Sequence, residues 1–245
     1  MAQLESLIRE LADGRGTTIH VARFERSQVR PRVVALNPPG ALADWCAEND
    51  IANAMIGGFF IRSAGTPLGE LRIDGEPLVH APFDPPWNHS RACLQISNGD
   101  VRFAPRSELG DHPEGDMLQA GPMLARDGRG LVSAGSDPEG FSAGSRQFDS
   151  DITAGRYPRA ALGAANGQLI AAVCDGRTDE DAGLTLDEMA EAMIELGASD
   201  AINLDGGGSA SLVIGGVLRN QPREEHGIDI PEGRPVSTAL AFVER

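Results

Sequence analysis

The sequence predicts an α/β domain in the α+β sense: mixed or antiparallel sheets built from several hairpins, with a few flanking helices. Three observations lead there. Turn dipeptides recur between short apolar runs. Hydrophobic residues make up 41% of the 245 residues, enough for a packed core. Only three stretches carry the helical period. No linker divides the chain, so residues 1–245 are expected to form a single domain.

The elements follow in order. Residues 4–12 place Leu4, Leu7, Ile8 and Leu11 on one face of a helix, with Gly14 as its stop. Residues 41–48 (ALADWCAE) follow Pro38-Pro39-Gly40 and read as a second helix. Five dipeptides then mark hairpins: Asp74-Gly75, Asn98-Gly99, Asp127-Gly128, Asn166-Gly167 and Gly215-Gly216. Two-residue hairpin loops need positive φ at both central residues, which Asn, Asp and Gly tolerate. The third helix spans 186–196. Thr185 caps it, Glu188 completes a capping box, and Gly197 ends it. Met189 and Met193 lie on its apolar face and are expected in the core. Residues 104–118 and 133–157 are polar, rich in Gly, Pro and Ser, and read as long loops, either lids or surface decoration.

Composition excludes several functions. The net charge is −15, and all 21 basic residues are Arg. So acidic a chain lacks the basic face that phosphate backbones require, and no nucleic-acid partner is expected. No run reaches the roughly 18 apolar residues of a membrane span. The N-terminal MAQLESLIRE is no secretory signal, so the chain reads as cytoplasmic by default, or exported if a leader was removed. Cys46, Cys93 and Cys174 form neither a disulfide framework nor a zinc signature and are expected as reduced core residues. The absence of Lys follows the Ala, Gly, Arg and Pro richness of a GC-rich genome.

Five motifs could carry chemistry. In AINLDGGGS, a short strand reaches Asn203 and Asp205, then Gly206, Gly207, Gly208 and Ser209. Three glycines let backbone approach a ligand and can turn amides inward as an anion nest; alternatively they form a bulge or wide turn. No Lys or helix follows, so this is not a P-loop. Asp175 and Arg177 emerge in CDGR at a strand end, as a surface ion pair or as phosphate-binding groups. Pairing about Asn166-Gly167 brings Arg159 to the same sheet end as Asp175. The other motifs are Gly57-Gly58-Phe59-Phe60, Gly121 in QAGPML, and Arg234 in GRPVSTAL.

Together these motifs resemble the phosphodiester glycosidase family, which has bacterial and phage members. The resemblance runs from about 54 to 243 and rests on GGFF, QAGPML, PRAALG, DGR, GLTLDEMAEAMIELGASDAINLDGGGS and GRPVSTAL. It implies a glycosidase-type hydrolase that splits a small-molecule or glycan sugar-1-phosphodiester at the anomeric C–O bond, giving free sugar and a phosphomonoester. Carried over by position, Asn203, Asp205, the glycine loop and Ser209 match one family signature. Asp175 and Arg177 match another, as do Arg159 and Arg234 singly. Three positions depart: Ile56 replaces an Asn, Ala160 a Thr and Ala210 a Ser, each with loss of a polar side chain.

A glycosyl phosphodiester has an anionic leaving group, so holding charge helps more than protonation. The Arg side chains and loop amides are therefore expected on the phosphate, as preorganised stabilisation. Asp205 and Asp175 become the catalytic candidates, as nucleophile or general base. A carboxyl separation of about 5 Å would suggest retention, and roughly 6.5–9.5 Å would admit an attacking water. Asp175 orienting an Arg is an equal alternative. No cofactor is expected. The competing readings are a P–O-cleaving phosphodiesterase, in which Asp175 and Asp205 hold a divalent cation, and a non-catalytic sugar-phosphate binding module. The oligomeric state stays open.

Overall fold

The structure, a computed structural model, describes residues 2–137, 139–141 and 155–245. The chain begins with strands β1 (Gln3–Glu10), β2 (Gly16–Glu25) and β3 (Val29–Gly40), helix α1 (Leu42–Glu48) and β4 (Asn53–Ile56). Short strands follow: β5 (Phe60–Ile61), β6 (Thr66–Pro67), β7 (Leu71–Ile73) and β8 (Glu76–Pro77). A one-turn helix α2 (Trp87–Ser90) leads into β9 (Ala92–Ser97), β10 (Asp100–Pro105), β11 (Asp116–Gln119), β12 (Met123–Arg126) and β13 (Arg129–Gly130). The last part holds β14 (Arg159–Ala165), β15 (Gln168–Cys174), helix α3 (Leu186–Glu195), β16 (Asp200–Asn203), β17 (Leu212–Ile214), β18 (Val217–Leu218) and β19 (Val236–Glu244).

These strands build a seven-stranded sheet, β1-β2-β15-β14-β16-β12-β13, and two five-stranded sheets, β10-β9-β11-β7-β8 and β18-β17-β4-β19-β3. A ribbon of β5 and β6 stands apart. Every ladder between the described strands is antiparallel. The α/β label is therefore too loose: helices are few, and the architecture is a mostly antiparallel, sheet-rich one. All five dipeptides sit at hairpin turns with both residues at positive φ, from Asp74 (52°) and Gly75 (84°) to Gly215 (64°) and Gly216 (74°).

The expected helix at 4–12 is instead the edge strand β1. Eight cross-strand pairs with β2 satisfy its backbone, and that pairing overrides a weak helical pattern. Leu4, Leu7 and Ile8, the imagined helical stripe, stay exposed, Ile8 at 80%. Helices α1 and α3 form as expected. The capping box at Thr185 and Glu188 is complete, and Met189 and Met193 are fully buried.

The core lies on both faces of the long sheet. Along β15, Leu169, Ala171 and Val173 join the main cluster, with Phe24 stacked on Phe242 at 4.2 Å. Ile170, Ala172 and Cys174 pack beneath α3. A strand buried on both faces reads as a continuous apolar run, which is why LIAAVC does not alternate. All three cysteines are buried and free. No helix among the described residues is long and apolar enough to cross a membrane. Residues 138 and 142–154, within the second expected loop, lie outside the described residues.

Candidate active site

The site gathers where β14, β15 and β16 meet the loops at one end of the long sheet. Arg159 pairs with Cys174, and the Leu204 amide donates to the Ala160 carbonyl at 2.9 Å. Asp175, Arg159 and Asp205 therefore leave the sheet side by side, with β14 in the middle. Neighbouring strands lie about 4.8 Å apart, so the strand ends at Cys174 and Asn203 that lead into the two carboxylates stand roughly 10 Å apart.

The family motifs converge physically. The Asp205 amide donates to the Gly57 carbonyl at 3.0 Å. The Gly57 amide donates to the Thr238 carbonyl, and the Gly58 amide to the Thr238 hydroxyl, both at 3.0 Å. A Cβ on Gly57 would lie 2.6 Å from Thr238 Oγ1, so close backbone packing requires the glycine. Asn203 donates from Nδ2 to the Gly121 carbonyl at 3.0 Å and to the Leu204 carbonyl at 2.8 Å. The Gly121 amide returns a bond to the Asn203 carbonyl at 3.0 Å. In this chain each of these motifs is thus another's packing partner.

The glycine loop has its own constraints. The Gly206 amide donates to Asp205 Oδ1 at 2.9 Å, and the Gly207 amide to the Pro158 carbonyl at 2.8 Å. Two of the three amides expected in an anion nest are thus occupied by the protein itself. A Cβ on Gly206 would meet the Pro158 oxygen at 2.7 Å, and one on Gly208 would meet Arg234 Nη2 at 2.7 Å.

Around the loop stands a charged cluster. Arg234 donates to Glu224 from Nε at 2.8 Å and to Ser209 Oγ from Nη1 at 3.3 Å. Arg62 reaches Glu224 at 3.4 Å. Burial pushes the Asp205 carboxyl up to about 6, against the opposing effects of Ser209, Arg234, the Gly206 amide and Arg62. Glu224 goes the other way. Its burial raises it, but hydrogen bonds and charge from Arg234, with Arg62 behind, outweigh that and leave it below the usual carboxylate range. Two carboxylates beside one loop are thereby driven apart in acidity, a pattern that distinguishes acid and base roles.

Asp175 is held differently. Its Oδ2 lies 2.9 Å from His20 Nε2, and its Oδ1 accepts the Gln221 amide at 2.7 Å. Its side chain turns to the opposite face from that of Arg159, because Arg159 shares a face with Cys174. Arg159 is buried and donates to the Leu184 carbonyl at 2.9 Å. Arg177 donates to the Arg223 carbonyl at 2.8 Å. Both guanidinium groups lie over the Tyr157 ring, at 5.7 and 5.6 Å. Ile56, Ala160 and Ala210, the three positions expected to depart from the family pattern, are fully buried here and belong to the main core.

The segment 220–224 ties these parts together and has no sequence signal of its own. Asn220 bonds Ala210 and Leu212, Gln221 holds Asp175, Arg223 receives Arg177, and Glu224 receives Arg234 and Arg62. Glu224, Arg62, His20 and Tyr157 also stand at the site, although no sequence motif assigns them a role there. Among the described residues, no three His, Cys, Asp or Glu side chains come together as metal ligands.

Comparison with known proteins agrees with this convergence. The family model for phosphodiester glycosidases matches residues 49–243. The mouse N-acetylglucosamine-1-phosphodiester alpha-N-acetylglucosaminidase is 32% identical over 70% of this chain, which spans a third (33%) of that protein's length. The human enzyme is 47% identical over 24% of this chain and 11% of its own length. Among solved structures, the zebrafish enzyme's catalytic domain, auto-inhibited by its pro-peptide, superposes with a TM-score of 0.74 at 20% identity. That match covers 100% of this chain and 83% of the zebrafish one. A hypothetical protein from Synechocystis follows at 0.69 and 19% identity, over 99% of this chain and 62% of its own. These structures share the fold, and the sequence match decides the rest: the chain belongs to the phosphodiester glycosidase family.

Proposed function

We propose that this chain hydrolyses a glycosyl-1-phosphodiester at the anomeric C–O bond, releasing free sugar and a phosphomonoester, and that it does so as one domain. The observation that carries the reading is Asp205. A carboxyl held at about 6 stands beside Arg234 and the glycine loop, in a family of phosphodiester glycosidases. Near neutral pH such a group is ionised yet basic enough to take a proton.

In this reading Asp205 activates the attacking water, and Asp175 supplies fixed negative charge near the sugar as it gains oxocarbenium character. Whether the reaction retains or inverts the anomeric centre follows from the separation of the two carboxyl groups, and analysis of the anomer first released reads it directly. Arg234 and Arg177, with Arg159 behind Tyr157, balance the leaving phosphate. Glu224 holds Arg234 in place. The identity of the sugar follows the relatives' substrate, an N-acetylglucosamine-1-phosphodiester, as the first compound to try.

The test is product analysis in ¹⁸O water. Label in the sugar is the expected result. Label in the phosphate, lost on adding EDTA, would replace this reading with metal-dependent P–O cleavage. Ligand-induced thermal stabilisation without product would make the chain a binding module.

A further inference from the structure

The hairpin of β1 and β2 precedes residues 49–243, yet it reaches the site. His20 on β2 places Nε2 2.9 Å from Asp175 Oδ2 and Nδ1 3.0 Å from the hydroxyl of Ser6 on β1. The imidazole is 12% exposed and the carboxyl side chain 9%. β2 also fixes the backbone of Asp175: its amide donates to the Thr18 carbonyl, and the Thr17 hydroxyl donates to its carbonyl, each at 2.9 Å.

The hydrogen-bond directions follow from chemistry. An ionised carboxylate only accepts, so Nε2 carries the hydrogen that faces Asp175. The Nδ1 of a neutral ring then accepts, and the Ser6 hydroxyl donates to it. The second ring nitrogen thus has a partner that fixes which tautomer faces the carboxylate. With the Gln221 amide on Oδ1, both oxygens of Asp175 are gripped from opposite sides. A carboxylate so held keeps its position while charge develops nearby, which is what electrostatic stabilisation needs.

We propose that His20 is a positioning residue for the hydrolysis: it orients the Asp175 carboxylate, and Ser6 sets its ring. The proposal rests on the reading above that Asp175 acts in catalysis. It places part of the catalytic apparatus on an N-terminal hairpin outside the family-matched region.

The test uses the 245-residue chain and whichever methyl glycosyl-1-phosphodiester, from a panel of sugars, the wild type hydrolyses fastest. Steady-state kinetics and Tm are measured for Asp175→Asn, His20→Leu, His20→Asn, His20→Gln, Ser6→Ala and the double variant His20→Leu/Asp175→Asn. His20→Leu is expected to lower kcat about 10- to 100-fold with KM nearly unchanged, a part of what a positioned catalytic group contributes. His20→Gln, whose amide donates from a similar reach, should recover most of that loss. His20→Asn, one methylene shorter, should not. Ser6→Ala should cost no more than about threefold. In the double variant, His20→Leu should add nothing to the loss from Asp175→Asn, since residues acting as one unit are non-additive.

Equal losses in the Gln and Asn variants, or losses that multiply in the double variant, would overturn the proposal and leave His20 a structural residue. The Gln and Asn pair keeps the test open if His20→Leu does not fold. A wild-type kcat in His20→Leu, with Asp175→Asn inactive, would sink the proposal alone. A wild-type kcat in Asp175→Asn would remove the catalytic reading of Asp175, and the proposal with it. Turnover of no member of the panel would remove the hydrolase reading as a whole.

Discussion

Asp205 and Asp175 leave the same end of one sheet, two strands apart, and meet opposite surroundings. Asp205 lies on a loop, bonded to the amide that follows it, and burial holds its carboxyl up at about 6. Asp175 lies against β2, with His20 on one oxygen and the Gln221 amide on the other. In the proposed function one carboxylate exchanges a proton and the other is fixed in place. Identical residues at equivalent strand ends are thus given different environments by their neighbours alone, the means by which acid and base roles are separated.

The largest expected effect comes from removing Asp205, the proposed proton-exchanging member. Asp205→Asn should lower kcat by about 10²–10⁴-fold, the usual contribution of a general base. It should also raise stability at pH 7. The Asp205 pKa moves from 3.8 up to about 6 on folding, so the folded state holds the proton more tightly. Stability therefore falls as pH rises between those values, and the full penalty, at most about 3 kcal/mol, stands above pH 6. Thermal denaturation at pH 4 and pH 7 checks this. An Asn variant no more stable than wild type at pH 7 would show that the carboxyl is not strained by burial.

The pH profile sharpens the same contrast. With Asp205 working as a base, kcat/KM should fall as pH drops through about 6. Arg234 lowers the Asp205 pKa, so Arg234→Ala should move that limb to higher pH as well as weaken turnover. A limb that does not move would detach Arg234 from Asp205.

A smaller effect tests the loop itself. Gly206→Ala puts a methyl 2.7 Å from the Pro158 oxygen and should cost about 1–3 kcal/mol, with a loss of activity that follows from displacing Asp205. Unchanged Tm and kcat would contradict the close crossing seen here. The smallest is a control: Thr185→Ala removes the cap of α3, beneath the sheet that carries both carboxylates. It should cost about 1 kcal/mol and leave kcat unchanged. A fall in kcat would mean that the two carboxylates depend on the helix under them.

Local signals survive from sequence to structure. The five turn dipeptides specify their own φ angles, and α3 carries its cap, its stripe and its stop within thirteen residues of sequence (185–197). β1 misleads because an exposed edge strand has no buried face to impose alternation; its identity comes from β2. The site was legible where family motifs lie in one run, as in NLDGGGS, and silent where it depends on distance along the chain. His20 and Asp175 are 155 residues apart, and Arg62 and Glu224 are 162 apart. Nothing local to His20 or Glu224 distinguishes them from any surface histidine or glutamate.

Where the chains cross at Pro158, the molecule has little room to evolve. Gly176 and Gly206 press on it from two sides, and a methyl on either would come within 2.8 Å of its backbone. That crossing acts as a keystone, locking β14 between the two strands that deliver the carboxylates. Arg62 and Glu224, by contrast, meet through the ends of their side chains at 3.4 Å, where a change need not move backbone. A methyl at either glycine has only backbone to displace, so tolerance to substitution should be lowest at this crossing.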